Sequence, residues 1–296
     1  MKQILKSTLA TAALIAGTVT VNAGDKTVEG KTTAAVDTRY GLFNGLDHRS
    51  TYGTGPFPEP FLNDDTNLEE NELRLDWFRG FKRNNHADDF KVEYEKSIGN
   101  LTLEFELHYE RERADGATTE GWGNANVAAR YPLYQWVSSD NNFDTTFGVS
   151  TEVGIPTNTV FSQSWEVVPA VFNDTRVGKH FTMQNFVGYS MIFDGEEDGI
   201  HTLEYGTTIG WAFSHEELPI PGVQQFIPVF EVSGEHQVNK EDAGVNNIVG
   251  LIGFRANLNP IGGVQPRLGL GYVFPLNNVA REDQNWGLYT SLVFEF

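Results

Sequence analysis

Cysteine is absent from the 296 residues, so neither a disulfide framework nor a thiolate metal site can form. Past the N-terminus no stretch offers about 18 consecutive apolar residues, which excludes transmembrane helices. Positive charge is scarce, with 21 Lys and Arg against 40 Asp and Glu, for a net charge of −19. Phosphate contacts need Lys and Arg, so nucleic acid is excluded as a partner. The seven histidines are scattered, none in His-x-x-x-His spacing, and neither glycine-rich phosphate loop occurs in a usable context. The acidic run Asp194 to Gly199 matches no EF-hand spacing and reads as a solvated loop. No catalytic residue, metal or cofactor is expected, and the chain is not read as an enzyme.

What is present begins with a leader. Lys2 and Lys6 precede an apolar stretch from Leu9 to Val21, too short to cross a bilayer as a helix, and Val21-Asn22-Ala23 supplies small residues for cleavage. Residues 1–23 are therefore expected to be a signal peptide removed after Ala23, and the protein to be exported. The removed part holds two lysines and no acid, which leaves the mature chain at −21. Residues 24–70 form a polar N-terminal segment with the Pro-rich stretch Pro56-Phe57-Pro58-Glu59-Pro60 and acids at Asp64-Asp65. A tail, a tether and a partial plug are all open readings of it.

From residue 71 to 296 the chain alternates in character between turn signals. Strands are expected near 71–82, 90–98, 101–112, 124–136, 143–155, 165–173, 180–193, 200–213, 225–235, 246–258, 263–275 and 286–296. Most approach the roughly nine to eleven residues that cross a bilayer at a tilt. Leu101, Leu103, Phe105, Leu107 and Tyr109 alternate with Thr102, Glu104, Glu106, His108 and Glu110, and similar two-faced patterns recur at 143–155, 203–213 and 264–274. In a bilayer every backbone N–H and C=O must be satisfied within the protein, which strands achieve only in a closed barrel. The expectation is an all-β, antiparallel transmembrane barrel of about 12 strands, with 10 as the alternative, behind an N-terminal extension.

The last strand places Trp286, Leu288, Leu292, Phe294 and Phe296 on one face, with Gly287, Tyr289, Val293 and Glu295 on the other. It resembles the closing strand of bacterial outer-membrane barrels, whose terminal aromatic residue is part of the signal read by the assembly machinery. That resemblance implies the bacterial outer membrane, with lipid, lipopolysaccharide and the assembly machinery as partners. With Phe296 on the periplasmic side, the tight Gly99-Asn100 link falls inside and the stretches near 115–121, 194–199, 236–245 and 276–284 fall outside. Residues 215–224 break the trend, being long yet periplasmic.

The inward face carries the chemistry. Glu93, Glu95, Glu104, Glu106, His108, Glu110, Glu152, Glu204 and Glu231 are expected to line the lumen, with Asp144. The expected basic partners are Arg74, Lys91, Arg130 and Arg267. Two readings are open: an acidic pore lining that favours cations, or a Glu–Arg network that fills a narrow barrel.

Short motifs then run in order: Glu93-Tyr94-Glu95 with Ser97-Ile98, Leu101-Thr102-Leu103, Gly121-Trp122-Gly123-Asn124, Ala129-Arg130-Tyr131, Val153-Gly154-Ile155-Pro156-Thr157, Gly178-Lys179 and Phe274-Pro275-Leu276. Together they resemble the outer-membrane barrels grouped with the meta-pathway phenol-degradation proteins, over about 90–296. The resemblance implies a transporter-like barrel for small, often hydrophobic or aromatic compounds, and brings no catalytic residues. Passage or uptake of a small-molecule solute is the expected function, and a structural or interaction barrel with a filled lumen is the alternative.

Overall fold

Alternation with a period of two commits each strand to one inward and one outward face, and a closed sheet is the arrangement that uses both. The computed structural model describes residues 57–64, 66, 71–83, 85–98, 100–140, 142–195 and 197–296. The expected signal peptide, its cleavage after Ala23 and residues 24–56 lie outside the described residues.

The chain forms β1 (Asn71–Lys82), β2 (Asn85–Ile98), β3 (Leu101–Ala114), β4 (Ala117–Val137), β5 (Phe143–Ile155), β6 (Trp165–Val177) and β7 (Phe181–Phe193). It continues through β8 (His201–Trp211), a two-residue β9 (Phe213–Ser214), β10 (Val223–Gln237), β11 (Asn246–Leu258), β12 (Gln265–Pro275), the short helix α1 (Asn278–Asp283) and β13 (Trp286–Glu295). Every neighbour is antiparallel, and the pairing of β1 with β13 closes the sheet. The result is a 12-strand barrel plus β9, a fragment that carries the β8 edge on to meet Gln225 and Phe226 of β10. Ala212 separates β8 from β9, where 200–213 was expected as one strand.

Strands β1, β5 and β11 coincide with the expected ranges. Others run further, as at β4, where Ala117–Val137 exceeds 124–136. The extension holds because Asp115 and Gly116 both take positive φ, the two-residue hairpin geometry that pairs Ala114 with Ala117 and lets both strands continue past the core. The β2–β3, β4–β5, β6–β7, β8–β10 and β11–β12 connections share the end of the barrel at which Glu295 lies. The β1–β2, β3–β4, β5–β6, β7–β8, β10–β11 and β12–β13 connections share the other end. The long 212–222 connection sits among the short ones, as the alternation required.

The barrel is inside-out relative to a soluble sheet. Phe90, Val92, Tyr94, Phe105, Trp122, Val127, Phe147, Leu268, Leu270 and Tyr272 are exposed on its outer surface, while most inner-face groups are charged or polar and buried. Apolar exposure on that scale fits lipid, not water, around the wall. Glycines make room inside: a Cβ at Gly148 would sit 2.1 Å from Phe172 Cζ on the paired strand, so the end of the ring occupies the space a side chain would take.

Candidate functional site

The lumen wall is built from cross-strand register. Glu295 of β13 lies opposite Glu72 of β1, Glu72 opposite Glu95 of β2, and Glu95 opposite Glu104 of β3. Ala128 of β4 follows, and Glu152 of β5 lies beyond it. Two residues further along each strand, Arg74, Glu93, Glu106 and Asn126 are in line, and a third tier holds Asp76, Lys91 and His108. Directly opposed like charges destabilise a sheet. Five glutamates in one tier therefore demand cations, and the neighbouring tiers supply them.

Arg130 rises from β4 to bridge Glu95 and Glu104, the latter at 3.2 Å. Lys91 joins Glu93 to Glu106, 2.7 Å from the second. Arg74 meets Asp76 at 2.8 Å and Glu93 at 3.8 Å. Arg267 joins Glu295 to Glu59, the latter at 2.5 Å. His108 sits between Asp89 at 3.1 Å and Glu106 at 3.2 Å, so both ring nitrogens face carboxylates. Removing one partner of a pair this well enclosed costs more than breaking a surface bridge, because it strands a desolvated charge.

The expected lumen residues divide by neighbourhood. Glu93, Glu95, Glu106, His108, Arg130 and Glu152 are buried on the β2–β5 wall, with Glu104 half-buried among them. Glu204 is buried on β8, opposite Glu235, and lines the same cavity as that group from another strand. Glu110 is half-buried higher on β3, facing a separate outer cavity. Arg267 and Glu231 are buried against residues 57–64. Trp286, Leu288, Leu292, Phe294 and Phe296 lie on the outer, half-exposed face, opposite buried Gly287, Tyr289, Ser291, Val293 and Glu295.

Residues 57–64 and 66 cross the lumen from β12 towards β6 and β7. Arg255 donates to the Glu59 and Pro60 carbonyls at 2.8 Å each, and Arg74 donates to the Pro60 carbonyl at 2.6 Å. Both carboxylate oxygens of Glu231 accept backbone N–H groups, from Phe61 at 2.7 Å and Leu62 at 2.8 Å. Asn63 donates to Thr208 at 3.1 Å, and Thr66 donates to Asp174 at 2.6 Å. Phe61 packs on Tyr289 and under the Arg255 guanidinium, within an apolar patch of Phe78, Ile227, Val229, Leu251 and Val273. The lumen thus has a densely charged wall on β1–β5, while β10–β13 combine the apolar patch with Glu231, Arg255, Arg267 and Glu295, and this segment is laid between them.

Two cavities flank the segment. One, of about 120 Å³, is bounded by the charged wall, Phe61 to Asp64 and Tyr289. The other, of about 670 Å³, opens towards the 156–164, 194–200 and 238–245 connections. Among the described residues six carboxylates line it, with no Lys or Arg.

Sequence reasoning passed over Arg255, Arg176, Glu72, Asp76, Glu59 and Asp64. Arg255 escaped because β11 is apolar on both faces, so no alternation singled it out. Asp76 and Glu72 did lie in phase with Arg74, and that phase was the available signal. Glu59 and Asp64 sit in a segment without periodicity, where no face could be assigned.

No protein-family model matches the chain, and no curated protein matches it. Among solved structures, an outer-membrane channel from Pseudomonas putida F1 is similar, with a TM-score of 0.51 and 12% identity over 81% of this chain and 99% of the other. The NanC porin gives 0.47 at 12% identity over 78% and 99%, and LpxR from Salmonella typhimurium 0.43 at 10% identity over 76% and 100%. At such identities the likeness is one of fold. It agrees with the closed barrel drawn from the strand register.

Proposed function

We propose that this chain is a bacterial outer-membrane barrel that passes small molecules through its lumen, favours cations, and is held shut by residues 57–64 and 66. The observation that carries the proposal is the glutamate tier on β13, β1, β2, β3 and β5, part of a lumen wall on which carboxylates outnumber Lys and Arg among the described residues. Acidic linings attract cations and repel anions. The apolar outer belt supports a lipid environment, and the similar Pseudomonas putida protein, itself described as an outer-membrane channel, supports the location. Export with cleavage after Ala23, contact with lipopolysaccharide and handling by the assembly machinery belong to the same proposal.

The phenol-degradation resemblance extends it to hydrophobic or aromatic solutes. The apolar patch of the lumen, around Ile227, Val229, Leu251 and Val273, supports that extension. A second reading, a filled barrel that acts through its loops, is favoured by the hydrogen bonds that Arg74, Arg255 and Glu231 make to residues 59–62.

Planar-bilayer recording separates the two. The channel reading expects current steps and a reversal potential on the cation side in a KCl gradient. The pair Glu104→Gln with Glu106→Gln is expected to move that potential towards zero by half or more. Absence of steps under every voltage would leave the filled barrel, and an unchanged potential in the double variant would reject the acidic lining as the selective element.

A further inference from the structure

The acid excess of the chain stops at the outer wall. Among the described residues, the acids on outward strand positions are Asp88 and Glu120, against the bases Arg79, Lys96, Arg111 and Arg113. The described residues of β5 to β13 hold no other Lys or Arg than Arg176, Arg255 and Arg267, all buried inside. Lys96 lies near Asn71 at the Glu295 end. Arg79, Arg111 and Arg113 gather at the opposite end, on β1 and β3.

The register stacks these arginines above an aromatic line. Trp77, Phe90, Tyr109 and Trp122 follow one another across the outer face of β1, β2, β3 and β4. Trp77 stacks on Phe90 at 6.3 Å, and Tyr109 meets Trp122 edge-on at 5.3 Å. Such a band of rings marks where hydrocarbon gives way to headgroups. Two residues further along each strand, a step of about 7 Å, the line reads Arg79, Asp88, Arg111 and Glu120. The next reads Phe81, His86, Arg113 and Thr118.

The two acids are already engaged. Asp88 accepts from Arg79 at 2.5 and 2.9 Å and from the Trp77 indole N–H at 3.0 Å, which holds the Arg79 guanidinium 5.2 Å from the Trp77 ring centroid. Glu120 meets Arg111 at 3.6 Å, both side chains being exposed. Arg113 is exposed and makes no ion pair among the described residues. A guanidinium offers a planar fork of donors that matches phosphate oxygens, while its stem lies along apolar surface. Exposed guanidinium groups continuous with an aromatic band fit an amphiphile with acyl chains on one side and phosphate on the other.

We propose that the outer face of β1–β4, at the end away from Glu295, docks a phosphate-bearing lipid of the lipopolysaccharide class. Its acyl chains lie along Phe90, Tyr109 and Trp122, and its phosphate is taken by Arg111 and Arg113 with Arg79 beside them. The surface rests on the outer-membrane reading and names where that lipid is held. Alternation showed an apolar outer face, but only the register brings its few charges to one corner.

Native mass spectrometry of the full chain in detergent counts bound lipid directly. The wild type is expected to hold one bisphosphorylated lipid A per chain, at least tenfold more tightly than dephosphorylated lipid A with the same acyl chains. Arg111→Ala combined with Arg113→Ala is expected to lose that preference, and Arg113→Glu serves if the pair does not fold. Arg281→Ala combined with Lys240→Gln removes equal charge from exposed positions in the connections of the same end, and is expected to bind as the wild type does. Inorganic phosphate in large excess is expected not to displace the lipid, because it has no chains to lie on the aromatic line. Equal binding of the two lipids by the wild type would overturn the proposal. So would an unchanged preference without Arg111 and Arg113, an equal loss in the Arg281 and Lys240 control, or displacement by inorganic phosphate. Insertion into phosphatidylcholine vesicles reads the membrane assignment separately. A barrel that inserts yet ignores the lipid phosphates loses this surface alone, and one that does not insert loses both.

Discussion

At the residue scale, Arg255 does the most to hold residues 57–64 in place. Its guanidinium is fully buried, donates to the Glu59 and Pro60 carbonyls, and lies 3.8 Å from the Phe61 ring centroid. Arg255→Ala removes the Arg255 donor from the Glu59 carbonyl, leaves the Pro60 carbonyl to Arg74, and removes a desolvated cation–π contact, a loss of about 2–4 kcal/mol for the seated segment. The expected outcome is faster proteolytic cleavage within 57–64 and more frequent current steps, with the barrel itself still resistant to protease. Glu231 was legible before the structure because β10 alternates cleanly around it. Its role was not, since its partners are the backbone N–H groups of Phe61 and Leu62, distant by 170 and 169 positions. Period two assigns a face to a side chain, and says nothing of what will be laid against that face.

At the element scale, strand existence was legible almost throughout, because outward aromatic and aliphatic residues repeat against inward Glu, Thr and Gly. Ends were less so. Strands β2 and β4 continue beyond the apolar pattern into His86 and Thr118 to Glu120, where hairpin hydrogen bonding, not burial, sustains them. Register was illegible for a related reason: alternation fixes the face, while the offset between neighbours is set by turn geometry and by the bulges at Leu107/Tyr109 and Pro132/Tyr134. The glutamate tier is a product of that offset. The outer face carries its own test. Leu270, exposed in the middle of β12 between Phe254 and Thr290, faces outward, which the proposed function makes the bilayer side. Leu270→Arg is expected to destabilise the barrel in phospholipid by about 2–4 kcal/mol, the cost of an arginine near the bilayer midplane. Urea unfolding in lipid vesicles measures it, and a neutral result would place Leu270 outside the hydrocarbon.

At the scale of the whole molecule, barrel and segment form one unit. A twelve-strand lumen is wider than wall side chains alone can fill, yet narrower than an open porin. Here the remaining width is taken up by residues 57–64, which meet both charged groups and the apolar patch of Phe78, Leu251 and Val273. The central claim is that this segment is a removable closure over a cation-favouring path. The cysteine-free chain allows a direct test. A Cβ at Gly206 of β8 would lie 2.3 Å from Asn63 Cγ, which places Asn63→Cys with Gly206→Cys within reach of a disulfide. Planar-bilayer recording of this double variant is expected to show no steps when oxidised, and cation-selective steps after dithiothreitol that vanish on reoxidation. Equal conductance in the oxidised and reduced protein, or none in either, would contradict the account.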